Sequence, residues 1–215
     1  MTTPTRKSLI RKLAADADEI RRPARIEGTA IFWGLASTLV AGLLILGTGP
    51  TREGSVYLLG QSPRYALENV FAVLAIAGFS LLAFRSAVPA ADPRLRWTMA
   101  PFVLLAAWVA AIAFDLVSPA IEPSMNGKRE GCIFEVLLYG LPGLALGLAL
   151  LRRWWPLHAA RSGLLLGLAA GGIPALIMQF SCMYLPAHML THHLLPGIAL
   201  GPLGALAGWI WLRRK

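Results

Sequence analysis

Apolar residues fill six long runs of this chain, at 29–48, 65–84, 97–117, 133–151, 163–182 and 194–212, with short polar stretches between them. A hydrocarbon core of about 30 Å takes about 20 residues of helix, and each run is close to that length. Backbone groups in lipid must bond within their own segment, so the runs are read as helices. The pattern predicts an all-α polytopic membrane protein, a bundle of six transmembrane helices. It divides the chain into a tail at 1–28, a transmembrane domain at 29–212 and a basic terminus at 213–215. The first run starts late and is too long for the apolar core of a signal peptide, so it reads as a retained span.

Glycines recur at spacings of three and four in the later runs: Gly140, Gly143 and Gly147, then Gly163, Gly167 and Gly171, then Gly197, Gly201, Gly204 and Gly208. Such stripes let helix backbones approach closely. Pro101, Pro142, Pro174 and Pro202 fall inside runs and predict kinks, because each removes a helical hydrogen bond. Trp33, Trp97, Trp154, Trp155, Trp209 and Trp211 lie towards run ends, where indoles favour the water–lipid boundary.

Composition agrees with the pattern, at 56% hydrophobic and 14% charged residues. Soluble domains carry about 25% charged residues. A net charge of +9 would point to nucleic acid in a soluble protein, but its placement argues otherwise. With alternating spans and a cytoplasmic tail, every basic residue except Arg52, Arg64, Lys128 and Arg129 falls on the cytoplasmic side. The positive-inside rule then predicts cytoplasmic N- and C-termini. The charge orients the protein in the lipid bilayer and attracts anionic headgroups, with no direct nucleic acid contact.

Three carboxylates stand at the opposite, outer ends of the runs: Glu68, Asp115 and Glu135. Near an end a charge is tolerable, through solvation or pairing with Arg64, Lys128 or Arg129, and a polar outer pocket is the alternative. Cys132 and Cys182 fall at the same end, which in a bacterium would meet the oxidising periplasm, where disulfides persist. His188, His192 and His193 follow in what reads as the last outer loop. On a helix His188 and His192 would share a face, a spacing compatible with a ligand pair. Cys132, Cys182, Glu135 and Met183 could complete a transition- or heavy-metal site. A structural thiol pair with interfacial histidines is the competing reading. A metal-dependent membrane enzyme or a small transporter would need more. His-x3-His without a flanking Glu is not the zinc-protease motif, and the run centres carry no charged relay.

The tail is long enough to grasp a protein. Over 8–20, Leu9, Leu13, Ala17 and Ile20 fall on one helical face, flanked by Ile10 and Ala14, and Pro23 ends the pattern. An isolated helix of this length is marginal in water, so it lies on the membrane or folds into a partner's groove.

The Leu9–Ile10-x-x-Leu13-Ala14-Ala15-Asp16 segment followed by Arg21-Arg22-Pro23, the six spans, and the Cys132 and Cys182 pair resemble the negative-regulator-of-sigma-F family. So do the Arg152-Arg153 turn and the glycine run from Gly163 to Gly171. A departure is Ser181, where many members carry histidine before the second cysteine. The resemblance implies a non-enzymatic anti-sigma factor of the bacterial inner membrane. It implies an extracytoplasmic-function sigma factor as partner, held through the tail, with Leu9, Ile10, Leu13, Asp16, Arg21 and Arg22 as binding residues. It also implies release when a heavy metal or oxidant acts on Cys132 and Cys182, the metal being a signal rather than a resident cofactor.

Overall fold

The computed structural model of the chain describes residues 6–15, 26–88, 95–154 and 156–212. The helices are α1 (Arg6–Ala15), α2 (Ile26–Thr48), α3 (Leu58–Gln61), α4 (Pro63–Ser86), α5 (Leu95–Phe114), α6 (Cys132–Arg152), α7 (Ala159–Ser181), α8 (Pro186–His188) and α9 (Leu195–Trp211). A π-helical turn, Met189–Leu194, joins the last two. Among the described residues six helical stretches are long and apolar enough to cross a membrane, as the apolar runs predict.

Most boundaries lie within a few residues of the runs. The last span is the exception, because it begins at Pro186 and not near 194. Here α8, the π turn and α9 run on as one stretch, so polar histidines hide a helix that hydrophobicity alone does not reveal. The three histidines expected in a loop therefore lie within helical structure.

The central helix is α7, with 78% of its most apolar window buried against 22% for the third span. It packs against α2, α4, α6 and α9, while α5 leans on α4. Glycine explains the α7–α9 contact. A Cβ at Gly163, Gly167 or Gly171 would run into the carbonyl oxygens of Gly204, Leu200 or Gly197, so the two backbones touch. Without a hydrophobic effect between helices in lipid, this close van der Waals fit is what drives association. The opposite surfaces face outward: Ile31, Phe32, Leu35, Leu39, Leu43 and Leu46 of α2 are all exposed. A patch of that size would be a liability in water and is the natural lipid-facing side of a span.

Trp33 does not sit at the boundary as its position near a run end suggests. It is fully buried, and its indole Nε1 donates to the Gly143 carbonyl of α6 at 2.7 Å. Gly143 and Gly147 leave room for it, since a Cβ at 147 would lie 2.8 Å from that same nitrogen. Trp97, Trp209 and Trp211 are exposed, in keeping with boundary positions.

Two buried arginines close the end of the bundle at which the cysteines lie. Helix C-termini leave carbonyls without intrahelical partners. At α2, Arg129 reaches the Ile45 carbonyl, the Pro50 carbonyl (2.9 Å) and the Thr48 hydroxyl (3.4 Å). At α7, Arg52 donates its amide to the Ser181 carbonyl and its guanidinium to the Gln179 carbonyl, each at 2.9 Å. A cation at a helix C-terminus also opposes the negative end of the helix dipole. The intervening loop is held down by a reciprocal Ser124–Tyr184 backbone pair and by Gly127. Gly127 has φ +78°, and a Cβ there would lie 2.6 Å from the Ser181 oxygen. Only glycine fits that approach.

Candidate functional site

Cys132 opens α6, and Cys182 is the first residue beyond α7. Their sulfurs lie 3.3 Å apart, both thiols free and buried. His188 closes α8, and its Nε2 is 3.5 Å from the Cys182 sulfur. His193 projects from the π turn into the same space. One ligand atom from each of Cys132, Cys182, His188 and His193 lies within 4.8 Å of the others.

The π turn determines which histidines meet. Its i→i+5 bonding widens the helix, a distortion that recurs at functional sites. The His188 ring stacks on His192 with centroids 4.2 Å apart and stands edge-on to His193 at 4.9 Å. His192 then turns outward and pairs with the Thr191 hydroxyl. His193 turns inward and is fully buried, and its ring nitrogens have no oxygen or nitrogen partner, the Cys182 sulfur being their polar neighbour. A buried imidazole gives up its solvation, and a weak thiol partner replaces little of it. A soft or borderline metal ion is the ligand that two thiolates and two imidazoles suit. The tetrahedral arrangement, with bonds of about 2.0–2.3 Å, sets ligand atoms about 3.3–3.8 Å apart. The residues present fit that set once the longest separations contract, and half-buried His188 leaves a way in.

The Cys182 thiol is held below its ordinary pKa, chiefly by the hydrogen bond with Cys132. His188 and His193 add to the effect and burial opposes it. Thiolate character of this kind is what makes a cysteine a metal ligand or a nucleophile.

Around the cluster the polar residues pair off. Glu135 faces Arg129 at 3.0 Å and stands apart from the four-residue group, as does His192. Met183 is buried beside them. Asp115, fully buried, takes Arg64 and the Tyr184 hydroxyl. Burial, with that aspartate, pushes the Tyr184 hydroxyl above its ordinary pKa. Glu68 is only 2% exposed, with one carboxylate oxygen unpartnered, so it is not the solvated end-of-span residue its position suggests. Pairing with basic residues, one of the sequence expectations, thus describes Asp115 and Glu135.

Sequence reasoning passes over the capping roles of Arg52 and Arg129. A signal was available: they belong to the few basic residues on the cysteine side, and orientation gives them no task there. Of the tail residues, Leu9, Ile10 and Leu13 lie on α1, and Ile10 is exposed. Asp16, Arg21 and Arg22 lie outside the described residues.

The family profile described as "Negative regulator of sigma F" matches residues 13–213. A protein named anti-sigma-F factor NrsF, from Caulobacter vibrioides (strain NA1000 / CB15N), is 32% identical over 218 aligned residues. That alignment covers 96% of this chain and 97% of the relative. No solved structure matches the chain.

Proposed function

The chain belongs to the negative regulator of sigma F family and is an anti-sigma factor, and on that premise we propose how it holds and releases its partner. It sits in the bacterial inner membrane with both ends in the cytoplasm. The tail grips an extracytoplasmic-function sigma factor through Leu9, Ile10 and Leu13 of α1, with Asp16, Arg21 and Arg22 beyond it. Held at the membrane, the sigma factor is kept from RNA polymerase. The Cys132, Cys182, His188 and His193 cluster faces the periplasm and is the receiver of the signal, a soft metal ion or a thiol oxidant.

The observation that carries the signal reading is His193. A fully buried imidazole with no oxygen or nitrogen partner, facing two free thiols, is a costly arrangement for a merely structural core. A ligand shifts an equilibrium only by its different affinity for two states. The cluster supplies that difference, because its ligand atoms spread to 4.8 Å and must draw together around an ion.

The reading is tested by capture in detergent, with and without residues 1–25, against the host's sigma factors. One sigma factor should bind the full chain and be lost on truncation. Binding unaffected by truncation would move the grip from the tail to the inner loops, and no binding to any sigma factor would overturn the proposal.

A further inference from the structure

Arg129 stands between the thiol cluster and the helix that carries the tail. Its backbone carbonyl accepts the Cys132 thiol at 3.5 Å. Its guanidinium, with a side chain 1% exposed, spans to the far end of α2. There it bonds the Ile45 carbonyl, the Pro50 carbonyl and the Thr48 hydroxyl, and it lies flat on Gly49. A Cβ at 49 would lie 3.0 Å from the guanidinium carbon, so glycine is what lets the fork seat itself. Glu135, one turn into α6, holds the same guanidinium from the other side at 3.0 Å. A second tie runs parallel, from the Tyr139 hydroxyl of α6 to Thr48 at 2.8 Å.

We infer that Arg129 is the positioning residue that reports the state of Cys132 to α2, and through α2 to the tail. The inference rests on the signal reading above and names its route. The Cys132 thiol hydrogen faces the Arg129 carbonyl and the Cys182 sulfur. When a divalent metal ion enters, two sulfur–metal bonds form, and the Cys132 proton, with any proton that Cys182 still holds, leaves to solvent. The Arg129 carbonyl loses its donor and faces an anionic sulfur instead. Residues 129–132 must then turn, and the guanidinium is withdrawn from the α2 terminus with them. The carbonyls of the last α2 turn lose their cap, and the turn loosens.

The alternative routes are stiffer. Cys182, His188 and His193 belong to segments adjoining α7 and α9, whose backbones are in contact along their length. Cys132 is the ligand contributed by α6, and α6 meets α2 through side chains at this end. Motion driven by the cluster therefore takes the α6–α2 contact.

Hydrogen exchange of the full chain in detergent, with cadmium(II) as the probe and no sigma factor present, tests this directly. Cadmium should speed exchange at residues 44–50 of the unaltered protein by about tenfold, the scale of a lost helix cap. In Arg129→Gln those residues should exchange fast from the outset. Cadmium should still bind, seen as sulfur-to-cadmium charge transfer, without speeding them further. Glu135→Gln, which leaves the fork on α2, should respond between the two and serves if Arg129→Gln does not fold. Cadmium binding that leaves 44–50 unchanged, no cadmium binding, or an unaltered response in the arginine variant (in the glutamate variant, should that one alone fold) would each overturn the inference. Because no sigma factor takes part, these failures are separate from a failure of capture.

Discussion

His192 and His193 are neighbours in sequence with opposite surroundings. One is partly exposed and bonded to Thr191, and the other is sealed beside two thiols with no oxygen or nitrogen partner. Their removal should therefore have unequal effects on metal binding. His193→Ala should weaken cadmium affinity at least about tenfold, since even outer-shell partners of metal ligands are worth that much. His192→Ala should stay within about twofold, as for an ordinary surface change. Competition with a chromophoric chelator measures both, and equal losses would remove His193 from the ligand set. The sequence could offer all three histidines but not choose among them. Regular helical spacing favours His188 with His192, and a π turn, which periodicity does not announce, brings His193 in instead. Trp33 is a similar case: its place near a run end suits a boundary indole, yet Gly143 and Gly147 on another helix open a slot that buries it.

Between elements, the glycine stripes carry different weights. Gly167 meets the Leu200 backbone, whereas Gly42 has no neighbour within 4 Å. Gly167→Ala should lower stability by about 1–3 kcal/mol, the usual cost of forcing atoms into a filled contact. Gly42→Ala should leave stability unchanged or raise it by up to about 1 kcal/mol, from helix propensity alone. Denaturation midpoints in one detergent compare them, and a similar loss in both would contradict backbone contact between α7 and α9. Element identity and length were legible because lipid imposes one solution on every long apolar run. Partner choice was half legible: spacing showed a close-packing face on the last three spans, and only the assembled bundle shows that α7 pairs with α9 along it. The arginine caps were not legible, since Arg129 sits 84 residues from Ile45 and local sequence holds no trace of that bond.

Across the whole molecule, the thiol cluster and the start of α2 lie at opposite ends of one span. Arg129 ties the cluster to Ile45 and Thr48, while Glu27 pairs with Arg85 at 2.9 Å at the other end. The proposed orientation gives a topological prediction in a Cys132→Ser, Cys182→Ser background. Met125→Cys, at an exposed loop residue of the cluster end, should react with an impermeant maleimide on intact spheroplasts. Thr3→Cys, in the tail, should react only after permeabilisation, and the reverse pattern would invert the protein.

The central claim joins these ends: an event at the thiols changes the grip of the tail. Its most direct test starts from the purified complex with the sigma factor, reconstituted in vesicles with the cluster end outward. Cadmium added outside should release the sigma factor from the unaltered protein and leave it bound to Cys132→Ser and Cys182→Ser. Release from all three, or from none, would contradict the account.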